Sequence, residues 1–349
     1  MRKITFLFIF ISLIVKAQIP NGYYDDAQNL TGENLRTALY DIIKNHNSRS
    51  YDDLWTDFQS TDKKANGKVW DMYSIKANGT AQYEYTFGSD QCGNYSGEGS
   101  CYNREHSFPK SWFDEGYPMY TDLFHLYPTD GYVNGQRSNY PYGETDSPSW
   151  TSSNGSKRGA CSYPGYSGTI FEPIDEFKGD FARTYFYMVT RYKNVVSDWN
   201  SAMLSGDNLS NWAIDLLIDW AEQDPVSQKE VDRNNAVYNI QHNRNPFIDH
   251  PEYICYIWSG CESEITENKN NISITVYPNP AKDNITITYN SIDNKKANAT
   301  IHNIVGEKIK EITLNQNSNK ININNFNKGI YFIKITNSGN TILRKFIVE

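Results

Sequence analysis

The chain changes texture at Cys261, and no other feature limits its fold as much. From Asn271 onward the residues are rich in Asn, Ile and Lys and contain neither Cys nor Trp. Apolar and polar residues alternate over 272–276, 285–289, 300–304, 331–335 and 343–348. A two-residue period puts one face of a strand inward and the other outward. Turn signals such as Pro278-Asn279-Pro280 and Asn327-Lys328-Gly329 separate these runs. Short strands of even spacing specify a small all-β sandwich over residues 272–349. On pattern alone, a carbohydrate-binding module fits that sandwich as well as anything. The polar, charged stretch 262–271 reads as a linker. At 349 residues, two domains are the expectation.

Ahead of the linker the periodicities are helical. Thr31-Gly32-Glu33-Asn34 opens a helix whose apolar positions are Leu35, Ala38, Leu39, Ile42 and Ile43. Residues 180–194 and 209–222 repeat that rhythm, with Trp212, Leu216, Leu217 and Trp220 on one side of the second. Val69-Trp70-Asp71-Met72-Tyr73-Ser74 is a strand candidate. Residues 85–170 are crowded with Gly, Pro, Ser, Asn and Tyr, as long ordered loops are. The expected body, 18–261, is α+β: mainly helical, with a small sheet and long loops. The 26 tyrosines could stack on nucleobases, but aromatic packing in a loop-rich body outweighs that reading.

Arg2 and Lys3, the apolar run Ile4 to Val15, and Ala17 before Gln18 have the order of a secretory signal peptide, placed at residues 1–17. That run is shorter than the roughly 20 apolar residues a membrane span needs, so the mature chain is expected to be exported without a transmembrane segment, as a monomer. Five cysteines suit an oxidising compartment. The close pairs Cys92–Cys101 and Cys255–Cys261 are the first candidates for bridges, which leaves Cys161 free. A zinc site is disfavoured, because the chain has no Cys-x-x-Cys spacing and no paired His.

The chemistry concentrates in Asn103-Arg104-Glu105-His106 and in the segment Asp130 to Asn139. A carboxylate and an amide oxygen suit a hard cation, and an imidazole beside it suits a general base. Together they can activate water against a phosphodiester. Glu105 and His106 are adjacent, so on a regular strand they point to opposite faces. Serving one phosphate therefore requires the strand to end or bulge there, and Pro109 favours an end.

Arg104 to Trp112 and His125 to Gly135 resemble the endonuclease I family of secreted, weakly specific nucleases, which carry a ββα-metal (His-Me) finger. Phe177-Lys178-Gly179-Asp180 running into Ala182 to Met188 resembles that family's following helix, and Asn243-Arg244-Asn245-Pro246-Phe247 its later signature. The resemblance implies that His106 is the general base and that Glu105 and Asn134 hold one divalent ion. That ion is Mg²⁺ in the first instance, with Ca²⁺ or Mn²⁺ as alternatives. It also implies hydrolysis of DNA, and of RNA, to 5′-phosphates with little sequence specificity. Only 15 residues separate His106 from Asp122, fewer than in the enterobacterial members. The arginine those members use to steady the phosphate has no clear counterpart, and Lys110, Arg137, Arg183 and Arg244 are the candidates. A bridge between Cys92 and Cys101 would stiffen the entrance to the site.

In the tail, Tyr277-Pro278-Asn279-Pro280, the Ile304-Val305-Gly306 turn, Lys328 to Phe332 and Lys345 to Glu349 resemble the C-terminal sorting domain of the type IX secretion system. The resemblance implies passage to the exterior, with the secretion machinery as partner and no catalytic role for the tail. Charge bears on the substrate. Residues 272–349 hold ten Lys+Arg against five Asp+Glu, the whole chain is −8, and residues 1–271 therefore carry −13. An acidic body is a poor platform for a polyanion unless cations cluster locally or a metal supplies charge. Two other functions stay open beside a DNA-degrading enzyme: an exported ribonuclease of the same fold, and a non-catalytic surface protein that binds polyanion or glycan.

Overall fold

A computed structural model describes residues 19–258, 272–291, 296–303, 307–315, 317–337 and 340–348. The expected signal peptide, the linker with Cys261, and the Ile304-Val305-Gly306 turn lie outside the described residues. The chain divides into two compact units, Met1–Cys261 and Glu262–Glu349.

The first unit begins with α1 (Gly32–Ile43), which buries Leu35, Leu39 and Ile43, and α2 (Leu54–Thr61). The strand expected at Val69–Ser74 does not form. Val69 makes one isolated bridge to Lys63, and Asp71 then folds the chain into a turn. Its Oδ1 accepts the Tyr73 amide at 2.8 Å, and its carbonyl accepts the amides of Ser74 and Ile75. An aspartate that bonds the backbone two residues on competes with strand pairing, and here it wins.

Strand β1 (Tyr102–His106) pairs antiparallel with β2 (Leu126–Asp130) as a separate two-stranded sheet. Asp130 ends β2 and caps α3 (Gly131–Arg137), its Oδ1 accepting the Val133 amide at 2.8 Å. Part of the loop-rich region forms β3 (Pro148–Thr151), β4 (Lys157–Ala160) and β5 (Thr169–Glu172), a three-stranded antiparallel sheet.

Helix α4 (Lys178–Arg191) is the axis of the unit, with every residue but Asp180 buried. Such all-round burial belongs to a central helix. It packs on α1 and, beyond the short hairpin β6 (Leu204–Ser205) and β7 (Asn208–Leu209), on α5 (Asn211–Gln223). The unit closes with α6 (Gln228–Gln241), α7 (Pro246–Asp249) and α8 (Glu252–Trp258). A capping box starts α6: Ser227 accepts the Glu230 amide while Glu230 accepts the Ser227 amide.

The second unit is all β: β8 (Ile272–Tyr277), β9 (Asn284–Ser291), β10 (Ala297–Asn303), β11 (Lys308–Leu314), β12 (Asn317–Asn322), β13 (Gly329–Asn337) and β14 (Asn340–Val348). One sheet has the order β11-β10-β13-β14 and the other β12-β9-β8. Alternate residues of both, among them Ile285, Ile287, Ala299, Ile301, Ile333 and Phe346, form one apolar core. Each such large side chain contributes roughly 1.5–3 kcal/mol through burial. Among the described residues, no helix is long and apolar enough to cross a membrane.

Candidate active site

The register of β1 on β2 is regular to its end, with Glu105 opposite Tyr127 and His106 opposite Leu126. The strand neither stops nor bulges between Glu105 and His106, so the two side chains leave by opposite faces. Asn103 and Glu105 face α3, whereas Arg104 and His106 face Tyr51 and Tyr120. β1 ends at His106, so the strand end that the sequence calls for is present, without a bulge between the two residues.

On the α3 side, Asn134 Nδ2 donates to Asn103 Oδ1 at 2.7 Å. Glu105 is 2 % exposed. Its Oε1 accepts the Tyr73 hydroxyl at 2.9 Å and stands 3.5 Å from Arg137 Nη1. Burial raises the Glu105 carboxyl above its ordinary range, against the opposing pull of Arg137 and Tyr73. Glu105 Oε2 and Asn134 Oδ1 take no hydrogen bond from the described residues, which leaves two oxygen donors open on this side. They fit a hard cation in kind. Among the described residues, no group of three or more His, Cys, Asp or Glu could hold a metal.

On the other side, His106 Nε2 lies 3.0 Å from the Tyr120 carbonyl. A carbonyl only accepts, so Nε2 carries the proton and Nδ1 is the basic nitrogen. The Tyr120 ring lies over the imidazole, with centroids 5.1 Å apart and planes at 24°. The ring of Tyr51 lies 4.6 Å from that of Tyr120. Burial, and then the neighbouring His125, holds the His106 imidazole well below its usual range.

The four cations named from the sequence have different surroundings. Arg137 is fully buried. It donates to the carbonyls of His106 (3.0 Å) and Ser107 and to the Tyr185 hydroxyl (3.2 Å), and it lies over the Tyr142 ring. Arg183 forks onto Glu230 and reaches the Asp224 carbonyl. Arg244 forks onto Asp249 and reaches Asn235. All three guanidiniums are turned into the protein and paired there, although Arg137 Nε has no partner among the described residues. Lys110 alone of the four is open, with its side chain 42 % exposed, paired to Glu115 at 2.7 Å.

The helix face beside Asn134 is cut flat. A Cβ on Gly135 would lie 2.1 Å from the Tyr95 hydroxyl, and one on Gly131 would lie 2.9 Å from the Tyr95 ring. Tyr95 sits in the loop closed by the Cys92–Cys101 disulfide. The Cys101 carbonyl accepts the Gly131 amide at 2.9 Å, which ties that loop to the start of α3. Cys255 is also disulfide-bonded, Cys161 is free, and Cys261 lies outside the described residues. Sequence reasoning missed Tyr73, which holds Glu105, and Tyr120, whose carbonyl sets the His106 tautomer. A backbone carbonyl leaves no signature in a sequence. It also left Arg104 among the motif residues without a role.

Two families match the chain: Endonuclease I over residues 31–252, and a Secretion system C-terminal sorting domain over residues 275–349. An extracellular ribonuclease of Bacillus subtilis is 34% identical over 247 residues, covering 68% of this chain and 78% of the relative. An Endonuclease-1 of Buchnera aphidicola is 30% identical over 129 residues, 37% of this chain and 44% of the relative. An extracellular deoxyribonuclease of Aeromonas hydrophila is 28% identical over 138 residues, 39% of this chain and 52% of the relative.

Proposed function

This chain belongs to the endonuclease I family and ends in a secretion sorting domain, and we propose that it is an exported, divalent-metal-dependent endonuclease that cleaves both DNA and RNA with little sequence specificity, leaving 5′-phosphates. It is a phosphodiester hydrolase of a secreted or cell-surface kind. In the proposed division, residues 1–17 direct export, 18–261 are catalytic and 272–349 address the chain to the type IX machinery.

The observation that carries the chemistry is the fixed tautomer of His106. With Nε2–H held by the Tyr120 carbonyl, Nδ1 accepts the proton of the attacking water. Glu105 Oε2 and Asn134 Oδ1 would hold the ion, Mg²⁺ by preference. When bound, it offsets charge on the phosphate and on the departing 3′ oxygen. Arg137 binds the Glu105 carboxylate and the His106 carbonyl together, so it fixes the two faces of β1 relative to each other. In this reading, strand β1, β2 and α3 form the ββα-metal finger, and the scissile phosphate lies across the end of β1, between the two faces.

Matches over 247 and 263 residues are to proteins named ribonucleases, and matches over 133 and 138 residues are to proteins named deoxyribonucleases, which supports activity on both polymers. The test is parallel digestion of supercoiled plasmid and total RNA by the mature chain with Mg²⁺, Mn²⁺ or Ca²⁺, each beside an EDTA control. Cleavage of both, abolished by EDTA, is expected. Digestion of RNA alone would move the reading to an exported ribonuclease. No cleavage of either with any of the three ions would favour a polyanion- or glycan-binding surface protein.

A further inference from the structure

The phosphate-steadying cation has no counterpart in the sequence pattern, and three of its candidates are locked inside the protein. A fourth guanidinium stands where the chemistry needs one. Arg104 leaves β1 on the same face as His106, two residues earlier, about 7 Å along the strand. Its guanidinium lies 3.5 Å from the centroid of the Tyr51 ring and 4.3 Å from that of Trp55. Nη1 donates to the Tyr51 carbonyl at 2.6 Å. These contacts hold the plane of the fork without using its other nitrogens: Nε and Nη2 have no partner among the described residues. The carboxylate nearest to it is Asp52, 3.8 Å away on a side chain that is 97 % exposed, where an ion pair is worth little. In contrast, Arg137, Arg183 and Arg244 each face a buried carboxylate.

We propose that Arg104, held against the Tyr51 and Trp55 rings, grips a phosphate of the bound strand beside His106 and takes the place of the family's missing arginine. The proposal rests on the nuclease reading above. An arginine stacked on aromatic rings is already ordered, so it loses little freedom when it forks the non-bridging oxygens of a phosphodiester. It also supplies the local positive charge that the acidic body lacks as a whole. Lys110, across the Tyr120 ring at 5.5 Å, is the second cation on this face, but its own carboxylate partner, Glu115, lies within 2.7 Å.

The test compares full-length mature wild type, Arg104→Gln, Arg104→Lys and Arg104→Ala on a short fluorescein-labelled single-stranded DNA and on the RNA of the same sequence, with Mg²⁺. Arg104→Gln should lose roughly 10- to 100-fold in kcat/KM, the range of a lost hydrogen bond to a charged group. Its affinity should fall less steeply with salt, the slope dropping by about 0.7 for a single strand. Arg104→Lys should fall between the two, because it keeps the charge and loses the fork. Added guanidinium ion should partly restore Arg104→Ala. A loss that comes with an unchanged salt slope and no rescue would mean a structural role and would overturn the proposal, as would undiminished cleavage by Arg104→Gln. An inactive wild type would instead remove the nuclease reading on which the proposal rests.

Discussion

Replacing Arg137 by Met separates a structural cation from a catalytic one. The guanidinium is fully buried, stands 3.5 Å from the equally buried Glu105, and satisfies the carbonyls of His106 and Ser107. Methionine fills much of the space but leaves the Glu105 carboxylate unpaired, and breaking a buried pair in this way costs about 3–5 kcal/mol. The Ser107 carbonyl keeps the Tyr185 hydroxyl at 2.9 Å, but the His106 carbonyl loses its Arg137 donor, which adds about 1–3 kcal/mol if water does not reach it. These terms share one site and do not sum, so about 4 kcal/mol is the expected loss. The assay is urea unfolding followed by tryptophan fluorescence. All eight tryptophans precede residue 262, so the signal reports the first unit alone. With a slope of about 3 kcal/mol per molar urea, the midpoint should fall by 1–2 M. The double variant Glu105→Gln/Arg137→Met should recover a large part of that loss, because the unpaired charge is gone. An Arg137→Met protein of unchanged midpoint and raised KM would refute the reasoning and return Arg137 to the substrate.

Asp122 accepts hydrogen bonds from Tyr187, Tyr192, Gln241 and the Phe124 amide. Burial would raise its carboxyl, but His46, His125, the Gln241 amide and the Phe124 amide bring it down to about 2. A carboxyl whose pKa is lower in the folded state gives stability that is present above about pH 4 and lost as the pH falls toward 2. In Asp122→Asn, about 2 kcal/mol of that acid dependence should vanish from the unfolding curves, and wild-type-like acid sensitivity would count against it. Gly179→Ala should cost at least 1–3 kcal/mol, since the new Cβ would lie 2.0 Å from the Asp224 carbonyl oxygen; an unshifted thermal midpoint would contradict that packing. Deleting residues 272–349 should leave the specific nuclease activity intact, and a folded but inactive truncation would argue against the proposed division of labour.

The sequence carried the helices with a strong stripe, and these appear as α1, α4 and α5. It missed α6, because Gln228–Gln241 is polar over most of its surface; its capping pair, Ser227 and Glu230, was the available signal. Strand β11 was passed over because its exposed face is charged, Lys308, Lys310 and Glu311 interrupting the alternation, and β12 because Asn and Ser dominate it. Val69–Ser74 has strand-like composition, yet one aspartate turns it aside. At the site, residue types and order were legible in Glu105, His106 and Asn134. Which face each one takes was not, since that depends on the register of β1 against β2. The burial of Arg137, Arg183 and Arg244 was equally out of reach, because each is matched by a carboxylate distant in sequence or on another element.

In the proposed mechanism, His106 Nδ1 is the base of a metal-dependent phosphodiester hydrolysis. The direct measurement is the first-order rate of nicking of supercoiled plasmid with Mg²⁺ by wild type and His106→Ala of matched thermal stability. A loss of roughly 10²–10⁴-fold is expected, the usual contribution of a positioned general base, with the wild-type rate abolished by EDTA. A His106→Ala protein that nicks within a few-fold of wild type would contradict it.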